Sequence, residues 1–351
     1  MIKRIAIGNR VTGMVITALL LLFNSCESVL FIELEESDKL IVLNGALSND
    51  STLAVQVSRT RHILDNAPLV PLEQAVVKVY QGSTMTEQLK YSGNGFFRSA
   101  GFIPAIGEPY RIEVENPGYP AASASVNIPE PVKILTLDTA TVITESQDLY
   151  YYSTEEVFRF DISIDDPPGE DNFYLLDLFA DRSHAEPRDT TVHYIDSIYY
   201  SGQWNYFVAD STLLLFDIYR YQDRPRLMTS DIIAEAHTNE GILFSDQLID
   251  GKHYSIRAET SLYNLTSADS AVVDIRLHSI SESYYKYLKS RQKHYDARDN
   301  YLAVPVIVFT NVEGGTGFLG GYSSDVRTIT TFIPEYYWDR RYFDYGEPVP
   351  Y

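Results

Sequence analysis

The chain has 351 residues and carries 48 Asp plus Glu against 28 Lys plus Arg, a formal charge of −20 at pH 7. Its 45% hydrophobic and 22% charged residues are globular values, which excludes wholesale disorder. The acidity, with no cluster of Lys and Arg, excludes nucleic acid as a partner, and no apolar run reaches the roughly 20 residues of a membrane-spanning helix. The length predicts about two domains. Aromatic usage is unusual, with 27 Tyr, 16 Phe and 2 Trp, and suits β-strands and binding surfaces.

At the N-terminus, Lys3, Arg4 and Arg10 precede an apolar stretch of 13 residues, 11–23. That is the length of a signal-peptide core and too short for a spanning anchor. Phe23-Asn24-Ser25-Cys26 follows and resembles a bacterial lipobox, in the looser form common in Bacteroidota. The resemblance implies cleavage after Ser25 and acylation of Cys26, with a palmitate-type lipid as the anchor in the outer membrane. Cys26 is the only cysteine in the chain, so no disulfide forms, and acylation explains an otherwise unpaired thiol. Glu27, Glu33, Glu35 and Glu36 come next. They resemble the surface-export signals of Bacteroidota lipoproteins, and also read as a solvated acidic tether. The cell surface is the expected location, with the periplasmic face as the alternative.

Beyond this leader (1–25) and tether (26–38), segments 40–44, 52–58, 75–80, 110–115 and 122–128 are short, β-branched or alternating. Asn49-Asp50, Gly93-Asn94-Gly95 and Asn116-Pro117-Gly118 separate them as turns. Alternation at Val55/Val57, Val77/Val79 and Ile112/Val114 puts one side of each strand in a core. Residues 39–128 therefore read as an Ig-like β-sandwich. Pro129-Glu130-Pro131 predicts a hinge over 129–135, because proline removes a backbone donor and restricts its predecessor. A second, mostly β domain is expected over 136–351, with strands at 157–164, 173–179, 254–258, 272–277, 304–309 and 326–332. One helix is expected near 280–296. Ser279-Ile280-Ser281-Glu282 has the form of a capping box, and Tyr284, Tyr287, Leu288, Arg291 and Tyr295 recur at helical spacing.

These segments, in their order, resemble a Bacteroidota outer-membrane lipoprotein family catalogued as domain of unknown function 4249 (DUF4249). The resemblance starts at Cys26-Glu27 and Leu40-Ile41-Val42-Leu43-Asn44-Gly45, and runs through the Pro71–Tyr80, Gly93–Phe96 and Gly107–Val114 regions. These first parts also resemble the small regulatory sandwich found beside carboxypeptidases and in surface transporters. It continues at Asp165-Asp166-Pro167-Pro168-Gly169, Phe244-Ser245-Asp246, Asp250-Gly251-Lys252 and the Ser281–Tyr287 stretch. Its most telling part runs from Val306 through Asn311, Gly315, Gly317 and Gly320 to Tyr322. The aromatic stretch 194–208 has no counterpart in it. No catalytic residues are transferred by the resemblance. It implies a non-enzymatic accessory or binding component that accompanies a TonB-dependent outer-membrane transporter. A free-standing cell-surface module for glycans or proteins is the alternative.

The chemistry read from the residues themselves is sparse. Gly315-Thr316-Gly317-Phe318-Leu319-Gly320 matches the dinucleotide-binding spacing, but β-forming residues follow it where a helix would be required. It reads as a glycine-rich strand connection. The seven histidines show no H-x-x-H spacing, so no structural zinc site is expected, and no cofactor other than the covalent lipid. Asp165, Asp166, Glu170 and Asp171 share a loop that offers hard oxygen ligands for Ca²⁺ but lacks EF-hand spacing, and it reads first as a solvated turn. No G-x-S-x-G elbow is present. Two aromatic concentrations remain: one around Trp204, and seven rings between Tyr336 and Tyr351 that include Trp338 and Tyr342. Aromatics serve first as core material, and Trp204, Trp338 and Tyr342 are the candidate partner-binding residues if these stretches form an interface.

Lipidation is directly testable. Metabolic labelling with a palmitate analogue is expected to mark the full-length protein, and Cys26→Ala is expected to lose both the label and membrane fractionation. A soluble, unlabelled parent protein would rule the anchor out.

Overall fold

The structure is a computed structural model that describes residues 39–61, 68–147, 152–200, 203–238, 240–262, 265, 270–298, 304 and 306–332. For 145–147, 152–154, 184–200, 203–218, 237, 270 and 331–332 it describes the backbone alone. The first part contains strands β1 (Ile41–Ser48), β2 (Ala54–Arg59), β3 (Val76–Gln81), β4 (Thr84–Gln88), β5 (Lys90–Gly93), β6 (Phe96–Arg98), β7 (Pro109–Glu115) and β8 (Ala122–Asn127). The second contains β9 (Ile134–Gln147), β10 (Tyr152–Asp165), β11 (Phe173–Tyr200), β12 (Gln203–Asp223), β13 (Ala234–Thr238), β14 (Gly241–Ser245), β15 (His253–Ser261) and β16 (Ser270–Ile280). Helix α1 (Glu282–Arg298) and β17 (Thr316–Phe332) complete it.

The strands form one large sheet in the order β13-β14-β11-β16-β17-β1-β2-β6-β5, with β12 hydrogen-bonded to β11 off this path. Two smaller sheets, β4-β3-β7-β8 and β15-β10-β9, provide the opposing layers. Each makes its own core with part of the large sheet. In the first, Leu43, Val55 and Val57 pack with Val77, Val79, Ile112 and Val114, all essentially solvent-free. These include the alternating positions expected from the sequence, and the two-sheet arrangement is the expected sandwich. In the second, Phe160, Ile162 and Ile256 of the small sheet meet Leu176, Leu178, Val273, Ile275 and Leu277 of the large one. Full burial of each such side chain contributes about 1.5–3 kcal/mol relative to exposure.

β17 joins the two parts. It runs parallel to β1 from Val42↔Thr316 to Ser48↔Tyr322, then antiparallel to β16 from Ile280↔Tyr322 to Ser270↔Phe332. Leu319 enters the first core and Ile329 packs against the second. The proline-rich passage between the parts is also tied down. The Pro129 carbonyl accepts a hydrogen bond from Ser323 Oγ (2.7 Å), and the Val132 and Ile134 N–H groups donate to Ser279 Oγ (3.0 Å) and Asp325 Oδ2 (2.9 Å).

The glycine-rich motif is the start of β17. Gly317 has φ +109, and a Cβ there would run into the Leu43 carbonyl oxygen of the neighbouring strand. The glycines thus permit close strand approach, and the chain continues extended from Thr316 to Phe332 with no helix N-terminus behind them.

Two local expectations need correction. The helix cap is Ser281, whose carbonyl accepts from Tyr285 N–H (3.0 Å) and whose Oγ accepts from Tyr284 N–H (3.3 Å). Ser279 is not available for that role, because pairing with β17 holds it in β16. The apolar run 304–309 is not a strand at its described residues. It lies beside α1, where Phe309 N–H donates to Ser290 Oγ (2.8 Å) and the Val306 carbonyl contacts His294 Nδ1 (2.8 Å). Helix side chains take the place of a ladder partner, and Ile307 stays 90% exposed.

Gly317→Ala is expected to lower the free energy of unfolding by about 2–3 kcal/mol, since both the positive φ and the clash with β1 must be relieved. Gly118→Ala, at φ +83 but in open space, serves as the control. It should cost only about 1 kcal/mol in the same urea titration.

Candidate functional site

Alternation along β16 sorts its residues between two faces. Val273, Ile275 and Leu277 enter the second core, so Asp274, Arg276 and His278 stand on the other face of the large sheet. Register extends that polar stripe across neighbouring strands. Leu175, His278 and Ser324 form one row, Asp177, Arg276 and Val326 the next, and Phe179, Asp274 and Thr328 the third.

Helix α1 covers one end of this face. Tyr285 and Leu288 pack on Leu175, Leu243 and Ile280. Phe318 stacks on Tyr287 with ring centroids 4.0 Å apart and lies tilted against Tyr284 at 5.1 Å. Gly320 permits this seat, because a Cβ there would meet the Phe318 ring and the Tyr284 Cβ. Polar anchors reinforce it. Glu235 accepts hydrogen bonds from Ser245 Oγ, Tyr285 Oη and Lys289 Nζ, and Arg291 pairs with Glu240.

Beside the first turn of α1 the sheet leaves a cavity of about 390 Å³. Its lining includes the carboxylates Asp50, Asp177, Glu240 and Asp274, the guanidiniums Arg224 and Arg276, His278, and the rings of Tyr284 and Tyr322. Most of these groups are engaged. Asp274 is bonded by Arg276 (3.0 Å) and Thr328 Oγ1 (2.8 Å), and the Arg276 guanidinium lies 4.5 Å from the Phe179 ring centroid. His278 Nδ1 lies 2.6 Å from Ser324 Oγ. Burial pushes the Tyr284 hydroxyl up to about 12, helped by Tyr322 and Glu240, so it remains a neutral phenol at neutral pH.

Asp177 is the exception. Its side chain is only 3% exposed, yet Oδ1 accepts no hydrogen bond from the described residues. His278 Nε2 lies 3.3 Å away but out of line for one, and the half-exposed Arg224 reaches only to 3.7 Å of Oδ2. Glu240 Oε2 is likewise buried and without a hydrogen-bond donor among the described residues. Asp177, from the row next to that of His278 and Ser324, completes with them the residue types of a nucleophilic triad. In such a triad the aspartate orients the imidazole through a hydrogen bond, whereas here His278 Nε2 and Asp177 Oδ1 stand 3.3 Å apart as an ion pair. The arrangement is suited to holding a ligand.

The acidic loop takes a different form from the one expected. Asp166 groups with Asp246 and Asp250, their carboxylate oxygens within 4.8 Å of one another, while Asp165 pairs with His253 (2.7 Å). Each of the three is already committed to loop structure. Asp166 accepts from Tyr174 Oη (2.5 Å) and Gly251 N–H (2.9 Å), Asp246 from Asn172 N–H (2.8 Å), and Asp250 from Gly169 N–H (2.9 Å). Burial raises the Asp166 carboxyl and outweighs those two hydrogen bonds. The oxygens are chemically suited to a hard cation, and each carboxylate already accepts at least one hydrogen bond from the loops.

The other sequence-predicted residues divide simply. Cys26, Trp338 and Tyr342 lie outside the described residues. Trp204 falls on β12, opposite Tyr199 in register. Neither the cavity nor Asp177 and Glu240 was expected from the sequence. The available signal was the stretch Val273–His278, where three charged or ionisable residues alternate with three aliphatic ones.

The fold and this site define a mostly β protein of several sheets, with one long helix among the described residues and a charged cavity on the open face of its largest sheet. A family model described as a domain of unknown function, DUF4249, matches residues 27–328, and the chain belongs to that family. No curated protein matches it. Among solved structures, the Clostridium perfringens NetB toxin in its membrane-inserted form aligns over 74% of this chain and 94% of its own, at 5% identity. The TM-score of 0.13 means that the alignment carries no shared fold.

Glu235 provides a pH test of the helix seat. Burial pushes its carboxyl up, but the hydrogen bonds from Lys289, Ser245 and Tyr285 outweigh this and hold it below the ordinary 4.5. A carboxyl depressed in the folded state adds stability above its unfolded pKa and loses it as pH falls through the folded one. Glu235→Gln is therefore expected to cost about 1 kcal/mol at pH 7, allowing for solvent screening. The gap from the parent protein should close on acidification below pH 4.5, read by urea unfolding across pH.

Proposed function

We propose that this protein is a lipid-anchored outer-membrane protein, without catalytic activity, that serves as a binding or accessory component of a TonB-dependent transporter. The observation that carries the binding part is the cavity beside α1, where buried acceptors await donors that the described residues do not supply. A site that is polar, concave and close to the volume of a small molecule supports capture of a ligand. The anchor rests on Cys26 and the signal-like leader, and the transporter on the family resemblance.

The β11–β12 ribbon supports a protein partner. β11 pairs with β16 only as far as Ser183, and the two ribbon strands pair with each other alone up to Tyr200↔Gln203. A two-stranded ribbon is marginally stable alone in water, so packing against a partner would stabilise it. Trp204 sits near its far end. The C-terminal stretch with Trp338 and Tyr342 is the second candidate contact, and buried aromatic anchors typically contribute about 2 kcal/mol or more each.

Deleting residues 335–351 is expected to abolish co-purification with a barrel transporter while leaving the thermal midpoint nearly unchanged. A large fall in the midpoint would assign the segment to the fold and remove it from the interface. Co-purification with no barrel protein, combined with affinity for a polysaccharide panel, would favour a free-standing glycan-binding module.

A further inference from the structure

The geometry points to a small organic cation bearing N–H donors, a primary amine or a guanidinium, as the ligand of the cavity beside α1. This inference rests on the reading of that cavity as a binding site and names its ligand class. Four carboxylates line the cavity against two guanidiniums. Of the two, Arg276 is occupied by Asp274 and by the Phe179 ring. Arg224 has a side chain 53% exposed, and its contact with Asp177 is 3.7 Å. Neither is presented as a preformed clamp for an anion.

The unmet need in the cavity is for donors. Asp177 Oδ1 belongs to a side chain only 3% exposed, and Glu240 Oε2 is buried and without a donor among the described residues while Oε1 pairs with Arg291. Leaving a buried carboxylate oxygen without a donor is costly, and a ligand N–H directed at it removes that cost on binding. The two residues reach the same cavity from different elements, β11 and the turn between β13 and β14. A molecule with a donor for each would bridge them. Tyr284 and Tyr322 add aromatic rings to the lining, a side-chain type that attracts cations. The volume of about 390 Å³ lies within the range for small-molecule sites. The chain's charge of −20 concentrates cations near its surface.

The test is calorimetric titration of the full chain in detergent with four probes. Agmatine carries an amine and a guanidinium, choline a cation without N–H, acetate an anion, and glucose neutral hydroxyls. Agmatine is expected to bind, with choline weaker by about tenfold or more because it cannot donate to either oxygen. Asp177→Asn and Glu240→Gln, which keep size and remove charge, should each weaken agmatine about tenfold with the circular dichroism spectrum unchanged. The Glu240 variant lies in a turn, so it preserves the test should Asp177→Asn fail to fold. The inference is overturned if agmatine does not bind, if choline binds equally well, or if both variants retain parental affinity. Binding of glucose or acetate in place of agmatine would overturn the cation class and leave a binding protein. The accessory role stands or falls separately, on co-purification.

Discussion

The pairing of β17 with both β1 and β16 is the constraint on which the other parts depend. A strand late in the sequence serves the earliest strand on one side and its own near neighbour on the other. Without that double pairing, the large sheet would divide between β1 and β16, and each core would lose a side chain, Leu319 from the first and Ile329 from the second. The glycines at its start follow from the same demand. A parallel partner approaching as closely as Leu43 does leaves no space for a Cβ at Gly317, and α1 seated on the opposite side leaves none at Gly320. What resembles a phosphate-binding fingerprint in one dimension is a steric requirement in three.

The two acidic groupings show how similar residues can have opposite roles. Around Asp166, carboxylates meet backbone N–H groups and a phenol, and so fix two loops to each other. Around Asp177, strand register aligns carboxylates, guanidiniums and an imidazole without satisfying every oxygen. A network in which every member is hydrogen-bonded to its neighbours gives rigidity and a unique conformation. An incomplete one beside a cavity keeps interaction energy in reserve for a ligand, at some expense of stability.

Much of the fold could be read from local pattern. Val55/Val57, Val77/Val79 and Ile112/Val114 alternate because one side of each strand faces a core, and period two records that directly. The helix was readable from the spacing of its tyrosines. Its cap was misplaced by two residues, because a cross-strand bond to β17 competes for Ser279 and leaves no local trace. The run 304–309 has strand composition but lies against a helix whose Ser290 and His294 meet its backbone. The cavity was not readable at all. Asp177, His278 and Ser324 come together through register across strands far apart in the chain, Glu240 joins them from a turn, and Arg224 arrives from the end of the ribbon. Only the alternation of Asp274, Arg276 and His278 hinted at a polar face, and alternation does not distinguish a solvated face from a ligand site.

The β1–β17 partnership also sets an order of events in time. The chain is made from its N-terminus, so β1 exists long before Thr316, its partner's first residue, has been added. Until then an interior strand of the future sheet is an open edge, with unpaired backbone groups of the kind that recruit other chains. Contacts of such long sequence separation form slowly, because loop closure precedes their reward. The N-terminal sandwich can collapse early on its own residues, yet it remains incomplete on the side where Leu319 will enter. A nascent or truncated chain ending before β17 therefore presents an adhesive surface that the finished protein hides, and the cell must shield that edge or complete the chain quickly.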